Sequence, residues 1–248
     1  MNDSIELKHV EETLKSGWLA PGKKCEALEK ELTELSGHSK GLVVNSRASA
    51  EFLGMISCGI TKGSEVIVFD ISVEPIHLKI LEQSIHATIK HLPVMKENIS
   101  ELIPTLKTII TPNTQALIIG NFTPYETLIN LNEINQLYPN LEIISDFPMN
   151  HSKVSNQIAS ISITDISGIC SVILFKDESK YQRAIGIRDW GRVGTQSENV
   201  SDRYNGWVLG NGVRYDYKFV YGDLGFNFKT CDLAASLALD AFHKSLTN

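Results

Sequence analysis

The sequence predicts an α/β protein with a mostly parallel β-sheet that has helices on both faces. Six short apolar runs have strand character, at residues 41–45, 65–69, 87–92, 116–120, 141–146 and 170–175. Stretches with helical spacing of apolar residues separate most of them, as at residues 49–58, 75–84 and 132–137. Short buried strands that alternate with helices are typical of a parallel sheet covered on both sides.

Turns and flanking segments agree with this alternation. Lys62-Gly63-Ser64 precedes the second apolar run, and Tyr138-Pro139-Asn140 precedes the fifth. Residues 190–225 are rich in Gly, Asn, Tyr and Arg and have weak periodicity, which indicates a functional loop or an interface. Residues 230–246 return to helical spacing. No repeat or linker divides the chain, so residues 1–248 are predicted to form a single domain.

The composition excludes several classes of protein. The net charge is −6, whereas a partner such as nucleic acid or an anionic membrane requires a basic face. No apolar run is long enough to cross a bilayer, and the charged, helix-like start MNDSIELKHVEETLK is not a signal peptide, so we expect a cytoplasmic protein. The histidines form no metal-binding motif. Four widely spaced cysteines are expected to be reduced thiols: Cys25, Cys58, Cys170 and Cys231.

Several longer segments resemble one known family. These are SGWLAPGKKCEALEKEL (16–32), VVNSRASAEFLGMISCGITKGSEVIV (43–68), ITPNTQALIIGNF (110–122) and LEIISDFP (141–148). Two later segments, IRDWGRVG (187–194) and RYDYKFVYGDLGFNFKTCDLAASLAL (214–239), are the most specific. Together they resemble the DegT/DnrJ/StrS family of sugar aminotransferases, and the later two are similar to its branch of CDP-4-keto-6-deoxyhexose 3-dehydrases. The resemblance covers nearly the whole chain.

The resemblance implies a fold, a cofactor and a substrate class. The fold would be the large domain of the type I pyridoxal-phosphate (PLP) transferases, and the protein would be a homodimer acting on a nucleotide-linked keto sugar for surface polysaccharide synthesis. The smaller C-terminal domain of the family would be missing, because the chain stops soon after the helix near Thr230. Four residues of the irregular segment would lie at the dimer interface or the substrate mouth: Trp190, Arg192, Tyr215 and Tyr217.

Three positions match the cofactor contacts of the family. Asp146 would pair with the pyridine nitrogen, because PLP chemistry needs a carboxylate there; alternatively, it only ends a strand. The turn at residues 45–49 would bind the phosphate through N–H groups at a helix start and through the hydroxyls of Ser46 and Ser49. Asn227 would reach the phosphate of the neighbouring subunit; alternatively, it is a turn asparagine.

The same comparison shows departures from the family pattern. Arg47 replaces the glycine of the phosphate turn, where it must swing away or supply charge itself, and Ala48 replaces a hydroxylated residue. Val73 replaces the aromatic ring that stacks on the cofactor, and Met149 replaces a Gln or His. These changes together indicate impaired or altered catalysis.

The Schiff-base lysine can be placed in two ways. In one register Lys176 is that lysine. In the other, which we favour, residues 168–177 form the strand after the catalytic position, in a hairpin around residues 164–168. Lys176 is then a surface lysine, and neither lysine nor histidine occupies the catalytic position. Lys180 is a weaker third candidate.

Two functions therefore remain open. The first is a PLP-dependent sugar aminotransferase or dehydrase with Lys176 as its catalytic lysine. The second is a non-catalytic, dimeric homologue that acts as a binding or partner protein without PLP, in which the Arg47 side chain fills the phosphate turn.

Overall fold

The computed structural model of the chain describes residues 7–70, 76–94, 100–119, 129–146, 159–166, 168–193, 207–208, 212–216 and 219–247. Val73, Met149 and Tyr217, which the sequence singled out, lie outside these residues. Within the described ranges, no helix combines the length and the apolar character needed to cross a membrane.

Helices and strands alternate along the chain. The helices are α1 (Lys8–Ser16), α2 (Lys23–Ser36), α3 (Arg47–Ser57), α4 (Ile76–Ile85), α5 (Leu102–Ile109), α6 (Leu131–Leu137), α7 (Glu178–Arg188) and α8 (Asp232–Thr247). The strands are β1 (Lys40–Val44), β2 (Glu65–Asp70), β3 (Thr88–Pro93), β4 (Thr114–Ile119), β5 (Glu142–Asp146), β6 (Ile161–Ile166), β7 (Cys170–Phe175), β8 (Trp207–Val208) and β9 (Arg214–Tyr215). The predicted α/β alternation is therefore confirmed.

Seven of the strands form one mixed sheet in the order β1-β7-β6-β5-β4-β2-β3. Strand β7 is antiparallel to both of its neighbours, and the other neighbouring pairs are parallel. Strands β1 to β6 consequently end at one edge of the sheet, called here the carboxyl edge, and β7 ends at the opposite edge. Strands β8 and β9 form a separate antiparallel pair.

The six predicted strands correspond to β1 to β5 and β7, with ends within two residues of the predicted ones. The hairpin expected in the favoured register is also present, since β6 and β7 pair from Ile161 with Phe175 to Ile166 with Cys170. Helix α7 was not predicted. Its sequence, ESKYQRAIGIR, has polar residues on most of its surface and only three buried side chains, so its apolar periodicity is weak.

Apolar side chains fill both faces of the sheet. Helices α3 and α7 cover one face, where Leu53 and Ile185 belong to the same cluster as Leu42. Helices α2 and α8 cover the other face near Val43. Helices α5 and α6 pack against apolar side chains of β2 and β4 in a third cluster. Leu42 and Val43 serve opposite faces because successive side chains of a strand alternate.

Helix α8 also holds the N-terminus of α2 in place through polar contacts. The Asp232 carboxylate accepts backbone N–H groups from Gly22 at 2.8 Å, Lys24 at 3.1 Å and Cys25 at 3.1 Å. Helix α2 begins at Lys23 after a glycine that has no capping side chain, so Asp232 supplies the missing N-cap from another helix.

Candidate functional site at the carboxyl edge of the sheet

The turn between β1 and α3 has the geometry of a capped helix start. Ser46 is extended (φ −164°, ψ 161°), and its Oγ accepts the backbone N–H of Ser49 at 3.2 Å. The two serine hydroxyl oxygens are 2.8 Å apart, and Ser49 Oγ donates to Asn45 Oδ1 at 2.7 Å. N–H groups and hydroxyls at the start of an 11-residue helix suit an anion such as phosphate.

Arg47 points along its own helix. Its Nε donates to Glu51 Oε1 at 2.8 Å, and the Glu51 side chain is 5% exposed. The pair lies one turn further into α3, so the arginine charge is partly offset there by a carboxylate. The non-catalytic hypothesis expected this side chain to fill the turn, and the pair with Glu51 directs it elsewhere.

Asn227 lies beside this turn. The N–H of Asn45 donates to the carbonyl oxygen of Phe228 at 2.9 Å, and the N–H of Phe228 donates to that of Arg188 at 3.1 Å. Asn227 itself is exposed and forms an isolated bridge with Asp189. The structure thus places the backbone at Asn227 beside the turn that holds Ser46 and Ser49, while the Arg47 side chain pairs with Glu51.

Asp146 ends β5 at the same edge of the sheet. It pairs in register with Ile163 of β6, which runs parallel to β5 and in the same direction as β1. Strands β6 and β7 separate β5 from β1, so the two strand axes are about 14 Å apart. The contacts of the Asp146 side chain lie outside the described part of the structure.

Lys176 is not brought to this edge. It comes directly after Phe175, which pairs with Lys40 at the start of β1, whereas Ser171 pairs with Val44 at the end of β1. In the same register Lys176 is level with Ser39, so seven residues, about 23 Å, separate it from the level of the Ser46 turn. Burial lowers the pKa of Lys176, and its neighbour is His38. Because β7 is antiparallel to β1, the chain leaves β7 at the edge opposite to the turn.

The other lysine candidate also lies away from the turn. Lys180 Nζ pairs with Glu142 Oε1 at 2.7 Å, and Glu142 begins β5 at the edge opposite to Asp146. At the carboxyl edge, β6 and β7 are joined by Ser167, Gly168 and Ile169, a connection that contains no amine and no imidazole.

Two charged residues, Glu29 and Arg188, lie behind the turn and were not among the residues predicted from the sequence. Glu29 Oε1 accepts the N–H of Val43 at 2.8 Å, and Arg188 Nη1 donates to the Val43 carbonyl oxygen at 3.1 Å. A signal was present, because position 29 shares the apolar helix face of Cys25 and Leu32. An acidic residue on a core face requires a buried partner.

The segment after α7 adopts an unusual backbone. Trp190 has φ +64°, and both Arg192 and Lys229 lie over its ring, at 4.4 and 4.0 Å from the centroid. Gly191 and Gly225 cross so closely that a Cβ on Gly225 would lie 2.7 Å from the Ile187 carbonyl oxygen. Such residues mark a tightly constrained crossing beside the turn.

Comparison with solved structures defines the class of protein. An aminotransferase from Psychrobacter cryohalolentis matches with a TM-score of 0.74 at 18% identity, covering 98% of this chain and 62% of the other. The E. coli GDP-4-keto-6-deoxy-D-mannose-3-dehydratase with bound hydrated PLP gives a TM-score of 0.74 at 18% identity, with coverages of 98% and 66%. The chain therefore has the fold of the large α/β domain of PLP-dependent aminotransferases.

Sequence comparison gives the family. The profile of the DegT/DnrJ/EryC1/StrS aminotransferase family matches residues 1–143, and the chain belongs to this family. The spore coat polysaccharide biosynthesis protein SpsC of Bacillus subtilis is 31% identical over 118 residues, which is 47% of this chain and 30% of that protein. The chain thus spans less than a third of this curated relative and 62–66% of the two solved structures.

Proposed function

We propose that residues 1–248 form one large domain of a cytoplasmic, homodimeric protein of nucleotide-sugar metabolism, and that this domain binds a phosphate group without forming a Schiff base. The carrying observation is the connection at residues 167–169. β6 ends at Ile166 and β7 begins at Cys170, at the edge shared by the Ser46 turn and Asp146, and the three residues between them in the sequence include no lysine or histidine, whereas Lys176 and Lys180 lie at the other edge.

The residues fit only part of the cofactor that the family implies. The Ser46 turn suits the phosphate of PLP, since it presents helix N–H groups and two hydroxyls. No described lysine at the carboxyl edge fits the aldehyde. PLP supplies an electron sink when it is bound covalently to a substrate amine. The role of this chain's own residues in the proposal is to hold and orient an anion.

Two further features support the partners in this proposal. Four side chains of residues 219–226 are strongly exposed although apolar or aromatic: Phe219 69%, Tyr221 57%, Leu224 89% and Phe226 47%. Contiguous exposed aromatic surface is typical of a protein interface, and a second copy of the chain is the partner that the family resemblance favours. The same resemblance favours a nucleotide-linked keto sugar as the phosphate-bearing ligand.

Borohydride reduction tests the absence of a Schiff base. The protein is incubated with PLP, reduced, digested and mapped by mass spectrometry, beside its Lys176→Arg variant and the Psychrobacter aminotransferase. We expect only scattered, substoichiometric labelling of exposed lysines such as Lys15, and the same pattern in the variant. Stoichiometric labelling of one lysine that the Lys176→Arg change abolishes would overturn the proposal and favour the enzyme.

Pyridoxamine phosphate tests the phosphate site without the aldehyde. We expect measurable binding by calorimetry and at least tenfold weaker binding in Ser49→Val, because this change removes a hydroxyl from the helix start. Ser57→Val, at the other end of the same helix, is the matched control. Equal affinity of all three proteins, or no binding by the wild type, would contradict the proposed site.

A further inference from the structure

The free side of β1 is covered by two side chains in place of a strand. β1 is the edge strand of the sheet, so one side of its backbone has no neighbouring strand. At Val43, the N–H donates to Glu29 Oε1 at 2.8 Å, and the carbonyl accepts from Arg188 Nη1 at 3.1 Å. A carboxylate and a guanidinium thus satisfy both polar groups of one residue.

This pair belongs to a nearly buried charge network. Arg188 Nη1 lies 3.7 Å from Glu29 Oε1, and Arg188 Nε donates to Asp189 Oδ1 at 2.8 Å. The three side chains are only 12–21% exposed. Removing one member leaves an uncompensated charge in poor contact with water, so the network resists displacement.

The backbone of Arg188 is also linked to the Ser46 turn, through Phe228. Its carbonyl oxygen accepts the N–H of Phe228 at 3.1 Å, and the carbonyl oxygen of Phe228 accepts the N–H of Asn45 at 2.9 Å. Arg188 therefore reaches the turn by two routes, through Val43 on β1 and through the segment that contains Asn227. A displacement of Arg188 would move both sides of the turn.

We infer that Glu29 and Arg188 are positioning residues, which hold the end of β1 and the segment at Asn227 so that the Ser46 turn can bind an anion. The inference rests on the anion-binding role proposed above. Neither side chain touches the anion. Their effect is to fix the direction of the helix N–H groups, on which hydrogen bonding to an anion depends.

The surroundings of Glu29 give this role a pH dependence. Burial raises the pKa of Glu29 to about 7, against the opposing effects of Arg188 and the Val43 N–H. The other ionisable groups that influence it are Glu26 of α2, Tyr181 of α7 and Asp189, which directly follows α7. As the pH falls through 7, Glu29 gains a proton. Its hydrogen bond with the Val43 N–H and its electrostatic attraction to Arg188 then weaken.

Sulfate, whose charge is constant between pH 6 and 8, is a suitable probe. Its binding is followed by the shifts of the turn amides in NMR spectra of the wild type, Glu29→Gln and Arg188→Lys. Glu26→Gln, an exposed acid on the same helix, is the control; because Glu26 contributes to the raised pKa of Glu29, the sulfate affinity of this variant should fall at a slightly lower pH than that of the wild type. We expect sulfate to bind about tenfold more weakly to Glu29→Gln and Arg188→Lys than to the wild type. The sulfate affinity of the wild type and of Glu26→Gln should fall below pH 7, whereas that of Glu29→Gln should not. Charge alone predicts the opposite trend, because protonation of an acid favours anion binding.

Amide hydrogen exchange at Val43 and Asn45 separates this inference from the proposed function. If the wild type does not bind sulfate, the proposed anion site fails, and exchange still tests the positioning role. We expect at least tenfold faster exchange of both amides in Glu29→Gln and Arg188→Lys than in Glu26→Gln. Unchanged exchange and unchanged sulfate affinity in either folded variant would overturn the inference.

Discussion

Asp232 caps a helix that begins in a distant part of the sequence. It is 3% exposed, and it accepts three backbone N–H groups around Gly22, 210 residues earlier in the chain. A side chain on Gly22 would have to displace the Trp18 ring, because its Cβ would lie 2.6 Å from Trp18 Nε1. The cap therefore comes from α8, and it fixes the first helices against the last.

Replacing Asp232 by alanine should lower the free energy of unfolding. The change leaves three N–H donors without their carboxylate, and a buried donor without a partner costs about 1–3 kcal/mol. We expect a loss of about 2–4 kcal/mol in urea unfolding, against less than about 0.5 kcal/mol for the exposed Glu34→Gln. A similar small loss for both variants would show that the cap does not stabilise the fold.

His38 should make the protein sensitive to acid. It is 7% exposed, and neither ring nitrogen has a hydrogen-bond partner among the described residues. Burial, and secondarily Lys176, lowers the pKa of His38 from 6.5 to about 4. Between these two values the unfolded chain binds the proton and the folded chain does not, so stability falls as the pH is lowered.

The His38→Phe variant tests this effect. The loss of stability that His38 causes between pH 6.5 and 4 amounts to at most about 3 kcal/mol, and we expect the variant to lack that part of the acid dependence in urea unfolding. His86→Asn, at an exposed histidine, is the control. Parallel stability–pH curves for wild type and His38→Phe would contradict the burial argument.

The crossing of the segments after α7 and before α8 depends on two glycines. Gly191 and Gly225 approach through their backbones, and Gly191 has φ +79°. Phe228 links both segments to the turn: its N–H donates to the Arg188 carbonyl oxygen, and its own carbonyl oxygen accepts the Asn45 N–H. The shape of this crossing therefore determines where Asn227 lies.

Gly225→Ala should open this crossing. Its Cβ would lie 2.5 Å from the Trp190 carbonyl carbon, a backbone atom that cannot rotate away. We expect a loss of at least about 2 kcal/mol in urea unfolding. In the control Gly222→Ala, the new Cβ meets only Val193 Cγ2 at 3.0 Å, and this half-exposed side chain can turn aside. Equal losses would show that backbone approach is not what selects glycine at position 225.

The exposed residues 219–226 determine how the molecule associates if the homodimer proposal is correct. Leu224 is 89% exposed, so Leu224→Glu should preserve the fold. We expect sedimentation to show a dimer for the wild type and a dissociation constant at least a hundredfold higher for the variant, because a charge is buried in an apolar contact. Leu137→Glu, on α6, is the control. A monomeric wild type, or a dimer unaffected by Leu224→Glu, would contradict this interface.

The sequence was sufficient for most of the strands, for the hairpin and for the position of the Ser46 turn. Short continuous apolar runs located β1 to β5 and β7, and the β6–β7 hairpin was favoured because it keeps two apolar runs as paired strands. Ser46 and Ser49 were singled out through the family resemblance, and the structure places both at a capped helix start. Helix α7 was missed because few of its side chains are buried.

The local sequence pattern could not predict the edge of the sheet at which Lys176 lies or the partners of Glu29. Apolar periodicity fixes the conformation of a segment, and the edge of the sheet at which a strand ends depends on how distant strands pair. Because β7 is antiparallel to β1, Lys176 lies at the edge of the sheet opposite to the Ser46 turn. Helix α7 brings Arg188 to Val43, which is 145 residues earlier in the sequence. Pairing over such distances is set by packing of the folded chain.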